Sequence, residues 1–310
     1  MPIESLALGA ALTSAIVHLA AKKGVGAAVP AAFLAVRWST ASLAMTILVL
    51  LGPGWGAFQP GWPLAALATG AVLGPVVGWL LYLRALPHLD VSVAQPIFNS
   101  SAVVTMALAI LFLGEQPNAF IVVGAALILA GVHVLQSVEA QRHGPRPRRA
   151  RGWQPAILLV LGGACCLGVA GFFFRLGLGV LTPVETNWVR TTVPALALLA
   201  GNLLFEARLA ALARGAPPPL PGDPKRIFLT WRGLGLGMLV GLANDVAGWL
   251  LRLTAMKHGL LIVVEPLAAT SPLFVALLSA PLLGERLGRR GWLGVALTVL
   301  GAVLLTGWGR

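Results

Sequence analysis

Long apolar runs separated by short turns set the pattern of this chain. They cover about 3–22, 30–51, 62–84, 91–113, 118–138, 153–174, 183–205, 232–253, 260–283 and 289–308. Each is near the roughly 20 residues that an α-helix needs to cross the hydrocarbon of a bilayer. The runs do not alternate apolar with polar positions, which excludes the strands of a membrane β-barrel. Gly/Pro turns such as GPGWG (52–56) and GEQPN (114–118) separate several of them, as breakers should. Two longer connectors, 139–152 and 206–231, are basic, and the second has a Pro-rich kernel. The pattern predicts an all-α polytopic membrane protein with ten transmembrane helices.

The runs also repeat, which changes the picture from a string of helices to two halves. Shifting the chain by 170 positions lays Gly78, Trp79, Leu80, Leu81, Leu83, Ala85 and His88 on Gly248, Trp249, Leu250, Leu251, Leu253, Ala255 and His258. The match continues without a gap through Pro96 on Pro266, Gly114–Glu115 on Gly284–Glu285, Gly124 on Gly294 and Gly131 on Gly301. Upstream the offset is 153, which lays Lys22 on Arg175, Pro30 on Pro183 and Arg37 on Arg190. The longer connector at 206–231 accounts for the change. Such a period is read before any fold assignment. Each copy holds five helices, and an odd number turns the second copy upside down, the inverted repeat associated with secondary transporters. The expected organisation is 1–138 as the first five-helix repeat, 139–152 as a basic linker and 153–310 as the second.

Composition agrees. Of 310 residues 58% are hydrophobic and 10% charged, against roughly 25% charged in soluble domains, and the mean hydropathy is +0.88. The net charge of +12 is assigned to membrane-flanking loops and not to nucleic acid, because the arginines lie between apolar runs. Sixteen of the 22 Lys and Arg fall on one set of alternating connectors, four on the other, and Arg37 and Arg190 within spans. The positive-inside rule makes the basic loops cytoplasmic and places both termini outside, as an inner (plasma) membrane protein. The run from Ile3 to Ala21 has Glu4 at its start and Lys22–Lys23 after it, the reverse of a secretory leader, and is read as the first span. Cys165 and Cys166 are expected to be core thiols; adjacent cysteines bridge only with strain. No metal-ligand spacing is present, and no cofactor is expected.

A Pro in the fourth span of each half, a GE at its end and a following helix of the form G-x6-G together resemble the EamA-type transporters of the drug/metabolite transporter (DMT) superfamily. Residues 264–305 carry the best match, including Glu265–Pro266 and Gly284–Glu285–Arg286. The resemblance spans the whole chain, and implies small-solute transport, often driven by an ion gradient. Members include exporters of amino acids and other metabolites. Many keep their termini in the cytoplasm, whereas the charges here place them outside.

Ionisable groups inside spans are costly, about 2.5–3.5 kcal/mol at a helix centre on insertion scales, so each carries a functional hypothesis. Asp245, beside Asn244, has Trp249 at i+4 and Arg252 at i+7. This spacing predicts one face with carboxylate, indole and guanidinium, either a cation or proton site walled by Trp249 or a structural pair of Asp245 with Arg252 or with a neighbouring helix. Glu265 precedes Pro266, which is expected to break or kink the ninth span. The repeat mates of these acids are Pro75 and Gln95, so the acids belong to the second half alone. Glu185, Arg190 and Glu265 are expected to form an external gate, or Arg37 and Arg190 to snorkel or pair for structure. His18 is a candidate proton relay, and Trp79, Tyr82 and Asn99, with Gln95, are candidate cavity walls. Gly70, Gly74 and Gly78 form a small-residue face that admits close helix packing, as do Gly233, Gly237 and Gly241. Gly124/Gly131 and Gly294/Gly301 are assigned to scaffold or dimer contacts.

The expected function is a secondary transporter, not an enzyme. It moves a small polar or amphipathic metabolite by alternating access, with Asp245 and Glu265 binding a proton or the positive part of the solute. Two uncompensated acids favour a cationic or zwitterionic, amino-acid-like solute over simple anions, a preference that the intramembrane arginines would reverse by pairing with them. The alternatives are a flippase or carrier for a lipid-linked intermediate, whose headgroups would meet the basic loops, and a membrane enzyme or scaffold. The expected partners are the small solute and membrane lipid, without nucleic acid, in a monomer or homodimer.

Overall fold

Residues this apolar cannot leave backbone amides unpaired in hydrocarbon, and helices satisfy them within each segment. The computed structural model describes residues 2–23, 30–52, 61–85, 88–89, 91–142, 153–212, 231–283 and 287–308. Their regular structure is helical throughout. We label the rods α1 (Ile3–Lys23), α2 (Pro30–Leu51), α3 (Trp62–Ala71, Val72–Gly78 and Trp79–Ala85) and α4 (Val91–Asn99 and Ser101–Leu113). They continue as α5 (Ala119–Arg142), α6 (Trp153–Gly177), α7 (Pro183–Leu212), α8 (Trp231–Val240, Gly241–Gly248 and Trp249–His258), α9 (Leu261–Ala268 and Ser271–Leu283) and α10 (Arg289–Trp308). Seven stretches among the described residues are long and apolar enough to cross a membrane, and Ile3–Val17 and Ala35–Leu51 are shorter apolar helices. Large side chains such as Leu51, Leu111, Phe112 and Leu158 lie exposed, an apolar exterior suited to lipid. The chain is an integral, multi-pass membrane protein.

Several helix ends lie beyond the expected ones: α6 runs to Gly177, α7 to Leu212 and α8 to His258. At α7 the start follows from capping chemistry. Thr182 precedes Pro183, which needs no amide partner in a first turn. The Glu185 carboxylate accepts from the Thr182 amide at 2.7 Å while the Thr182 hydroxyl accepts from the Glu185 amide at 3.3 Å. This is a reciprocal capping box.

The middles of α3 and α8 are π-helical, at Val72–Gly78 and Gly241–Gly248. In each, the following Trp amide bonds to the carbonyls five and three residues back, Gly74 and Val76 for Trp79, Asn244 and Val246 for Trp249. The carbonyl four back, of Pro75 or Asp245, is therefore not claimed by that amide. Single π turns of this kind are frequent at functional sites. The break in α9 also differs from expectation: Pro266 sits inside Leu261–Ala268, and the interruption comes at 269–270. There the Thr270 amide bonds back to Leu267 and the Leu273 amide to Thr270, as Ser100 does to Ile97 and Val103 to Ser100 in α4. The Thr270 and Ser100 hydroxyls donate to the same Leu267 and Ile97 carbonyls.

Sequence-matched positions exchange contacts across the molecule. A Cβ added at Gly124 would meet the Gly301 carbonyl at 2.9 Å, and one at Gly131 the Gly294 carbonyl at 2.7 Å. As one number rises the other falls, so α5 and α10 pack antiparallel, backbone to backbone. These glycines therefore serve an intramolecular scaffold and not a contact between copies. Gly70, Gly74 and Gly78 press α3 against Ala170, Leu167 and Gly163 of α6. The contact of Gly78 with Cys166 has its counterpart in Gly248 with Thr13, which joins α8 to α1. Helices α2 and α7 also cross antiparallel, with Ser42 hydrogen-bonded to Thr192 and the Trp188 indole donating to Thr46. Cys165 is exposed and Cys166 half-buried, so the expectation of two core thiols is corrected: Cys165 occupies the side of α6 turned away from α3. His88 and His258 are exposed at helix ends.

Candidate functional site

The largest fully buried side chain is an arginine, Arg190, at 1% exposure, and beside it Asp245 and Asn187 are at 0%. Buried charges require pairing, and the partners come from four helices. Arg37 of α2 forks onto Asp245 of α8, Nε to Oδ2 at 2.5 Å and Nη2 to Oδ1 at 2.9 Å. The Asp245 carbonyl skipped by the π turn accepts from Arg190 Nη2 and Asn187 Nδ2, each at 2.9 Å. Arg190 Nε donates to Asn187 Oδ1 at 2.8 Å, and its Nη2 lies 3.8 Å from Asp245 Oδ1. Asn244 donates to Asp245 Oδ1 and accepts from Ser14 of α1 at 2.7 Å. Two repeat mates, Arg37 and Arg190, thus converge on one carboxylate whose own mate is Pro75.

Indoles fill the spaces between these cations. The guanidinium carbon of Arg190 lies 4.0 Å from the Trp249 ring centroid and that of Arg252 lies 4.6 Å from it. Trp38 is 5.2 Å from Arg37 and 5.3 Å from Arg190, and Trp79 is 5.8 Å from Arg37. Such contacts contribute about 0.5–2 kcal/mol each, the most when desolvated. Phe174 meets Trp249 edge-on and holds its plane.

Flanking the centre is a contact built twice. In the second half Arg252 Nη2 donates to Glu265 Oε2 at 2.5 Å. In the first half their mates, Tyr82 and Gln95, make a neutral hydrogen bond, hydroxyl to Oε1 at 2.7 Å, and Gln95 Nε2 donates onward to Asn99 at 3.2 Å. Trp79, Tyr82 and Phe98 pack ring on ring beside it.

These distances revise the predicted pairings. Asp245 pairs with Arg37 of a neighbouring helix, the second of the two partners expected for it, and not with Arg252 at i+7, because the π turn between them breaks the 3.6-residue phase on which that spacing relied. Arg252 turns to Glu265 instead. Glu185 binds its own helix start and Arg190 goes to Asp245, so the expected Glu185–Arg190–Glu265 gate is not made. Arg37 and Arg190 do not snorkel; both lie in the interior against Asp245, which is the pairing named as the other alternative. Nor are the acids uncompensated. Three arginines face two carboxylates, an excess of one positive charge among these groups. Asn244, Trp249 and Trp79 lie beside the charged centre, and Tyr82, Gln95 and Asn99 form the neutral hydrogen-bonded chain. His18 belongs to α1, but its side chain falls outside the described residues. No group of three or more His, Cys, Asp or Glu is placed to hold a metal ion among the described residues.

Among the residues that escaped the sequence reading, besides Ser14, Trp38, Phe98 and Phe174, are two that carry buried polar contacts. Asn187 is one, and its signal was a polar residue one turn before Arg190. The other is Glu115, 7% exposed, whose two oxygens accept from the Leu261 and Ile262 amides at 2.9 and 3.0 Å. It caps α9 from the other half, drawing on the positive helix terminus. The GE motif at 114–115 was visible; its partner was not. Gly114, at φ 67°, supplies the left-handed turn that aims the carboxylate.

Comparison with known proteins agrees with this architecture. The family described as the EamA-like transporter family matches residues 1–136 and 154–307. A protein of Sinorhizobium sp described as "Uncharacterized transporter in cobO 3'region" is 32% identical over 157 residues, 50% of this chain and 97% of that protein. A solved structure described only as "Crystal structure of protein" superposes with a TM-score of 0.73 at 19% identity, covering 99% of this chain and 97% of that one. At that identity the likeness concerns the fold alone.

Proposed function

The chain belongs to the EamA-like transporter family, and on that premise we propose that it is a secondary transporter for a small zwitterionic, amino-acid-like solute. It works by alternating access between two five-helix inverted repeats, 1–138 and 153–310, joined by the linker 139–152. The antiparallel self-pairing of α2 with α7 and α5 with α10, and the exchange of α1–α8 for α3–α6 contacts, support that arrangement. The solute site is the charged centre where the repeats meet. One observation carries the reading: Arg37 and Arg190, mates from opposite halves, share the single carboxylate of Asp245.

A pair of like cations around one anion leaves room for a second carboxylate, and the solute brings it. Competition for Arg37 and Arg190 then loosens the bond that ties α2 to α8, which couples occupancy to movement of the halves. A ligand shifts such an equilibrium only by its differential affinity for the two states. Compensation of the acids removes the case for a purely cationic solute. Asp245 has both oxygens engaged by Arg37, so proton coupling falls to Glu265, whose Oε1 has no hydrogen-bond partner among the described residues. The protein sits in the inner membrane with basic loops cytoplasmic and both termini outside.

Counterflow in proteoliposomes tests this. Labelled neutral amino acids should exchange, putrescine and other pure cations should not, and Arg190→Ala should remove exchange while the protein still elutes as a single species. Exchange of putrescine in preference to every carboxylate-bearing compound refutes the solute class.

A further inference from the structure

The two flanking pairs are one contact made with different chemistry, and the difference lies in which atoms remain unused. In the first half both polar side-chain atoms of Gln95 have a partner. Tyr82 spends its one hydrogen on Gln95 Oε1, and Gln95 Nε2 spends one on Asn99 Oδ1. In the second half Arg252 and Glu265 share one hydrogen bond, while Glu265 Oε1 and Arg252 Nε are both buried without a hydrogen-bond partner. The position matching Asn99 is Ala269, which has no polar side chain to offer. Glu265 is 2% exposed and Arg252 28%, and the Trp249 indole lies against the guanidinium. A buried polar group without a partner is costly. Here a donor and an acceptor on the same pair are both left without a partner.

We propose that Arg252–Glu265 is a dipolar entry subsite that reads both ends of a zwitterion before its carboxylate passes to Arg37 and Arg190: Arg252 takes the solute's carboxylate and Glu265 its ammonium group. This rests on the transport reading above and adds the determinant of head-group specificity. Its internal counterpart, Tyr82–Gln95–Asn99, is the neutral seal of the opposite half. The single ion pair supplies one anionic and one cationic partner, so a solute lacking either charge leaves one of them unanswered. Sites that hydrogen-bond a polar group discriminate strongly against analogues without it, because their own buried groups are left unpaired.

The test imports the neutral pair into the second half. Wild type, Arg252→Tyr, Glu265→Gln and the double variant are purified and titrated with glycine, serine, leucine, phenylalanine and lysine, each also as its N-acetyl and its amide derivative. Wild type should prefer the free zwitterion over both capped forms by about tenfold or more. Glu265→Gln should erase preference against the N-acetyl form alone, and Arg252→Tyr preference against the amide alone. The double variant, which restores a pairing the fold already makes once, should run as a folded species and show less than about threefold preference against either. A merely structural pair would lower all affinities together without this split. Undiminished discrimination in the double variant overturns the subsite, as does a wild type that binds the N-acetyl form as well as the free one while rejecting the amide, which still leaves a carboxylate carrier standing. A wild type that binds none of the panel overturns both proposals.

Discussion

Asp245→Asn keeps the shape of the buried centre and deletes its one negative charge, which leaves Arg37 and Arg190 facing each other without compensation. Arg37 forks onto the carboxylate at 2.5 and 2.9 Å. At an effective dielectric of about 20, unit charges that close interact by roughly 6–7 kcal/mol, and breaking a buried pair from one side costs about 3–5 kcal/mol. Adding Arg37→Met should recover much of this, since replacing both members of a buried pair with apolar groups is often neutral. The excess over additivity in that cycle should be about 2 kcal/mol or more, within the range of residues in direct contact. Thermal unfolding followed by tryptophan fluorescence in detergent reads the order of the four proteins. At roughly 2–4 °C per kcal/mol for a domain of 150–250 residues, Asp245→Asn should fall by about 6 °C or more, and the double variant should lie above it. A double variant that melts below Asp245→Asn, or two single variants that add, refutes the view that this pair holds the centre together.

Three further outcomes follow from other contacts. Glu115→Gln should speed hydrogen exchange at the Leu261 and Ile262 amides by about tenfold or more, because charge-assisted bonds contribute about 1.5–3 kcal/mol; unchanged exchange there rejects the cross-half cap. Gly131→Ala drives a methyl to within 2.3 Å of Thr298 Oγ1 and 2.7 Å of the Gly294 carbonyl, and should destabilise by about 1–3 kcal/mol as overpacking does. Gly235→Ala meets nothing within 4 Å and should be neutral or gain up to about 1 kcal/mol of helix propensity; equal losses at both positions would mean that α5 and α10 are not in backbone contact. Finally, a cysteine placed at Gly144 in a background without Cys165 and Cys166 should resist an impermeant maleimide added to intact cells. Labelling from outside reverses the proposed orientation.

The repeat was legible because scaffold positions tolerate little variation: Gly124, Gly131, Gly294 and Gly301 recur where two backbones must touch, and an added methyl has no space. The mismatched pairs were legible for the opposite reason. Gln95 against Glu265 and Pro75 against Asp245 stand out once the copies are aligned, and both acids line the charged centre. Cys165 was misread because hydropathy measures preference for an apolar medium and does not distinguish protein interior from lipid.

Periodicity, composition and self-similarity therefore determined from the sequence alone that the chain is a polytopic helical membrane protein carrying an internal duplication. They also determined which positions in it break the duplication. Only the tertiary structure decided which charge meets which. Arg37 reaches Asp245 across 208 positions, and a π turn removes Arg252 from the face that a regular helix would give it. Pairing in a low-dielectric interior depends on Coulomb terms that vary with ångström differences in approach. Those distances belong to crossings between helices from different halves, and no local spacing encodes them.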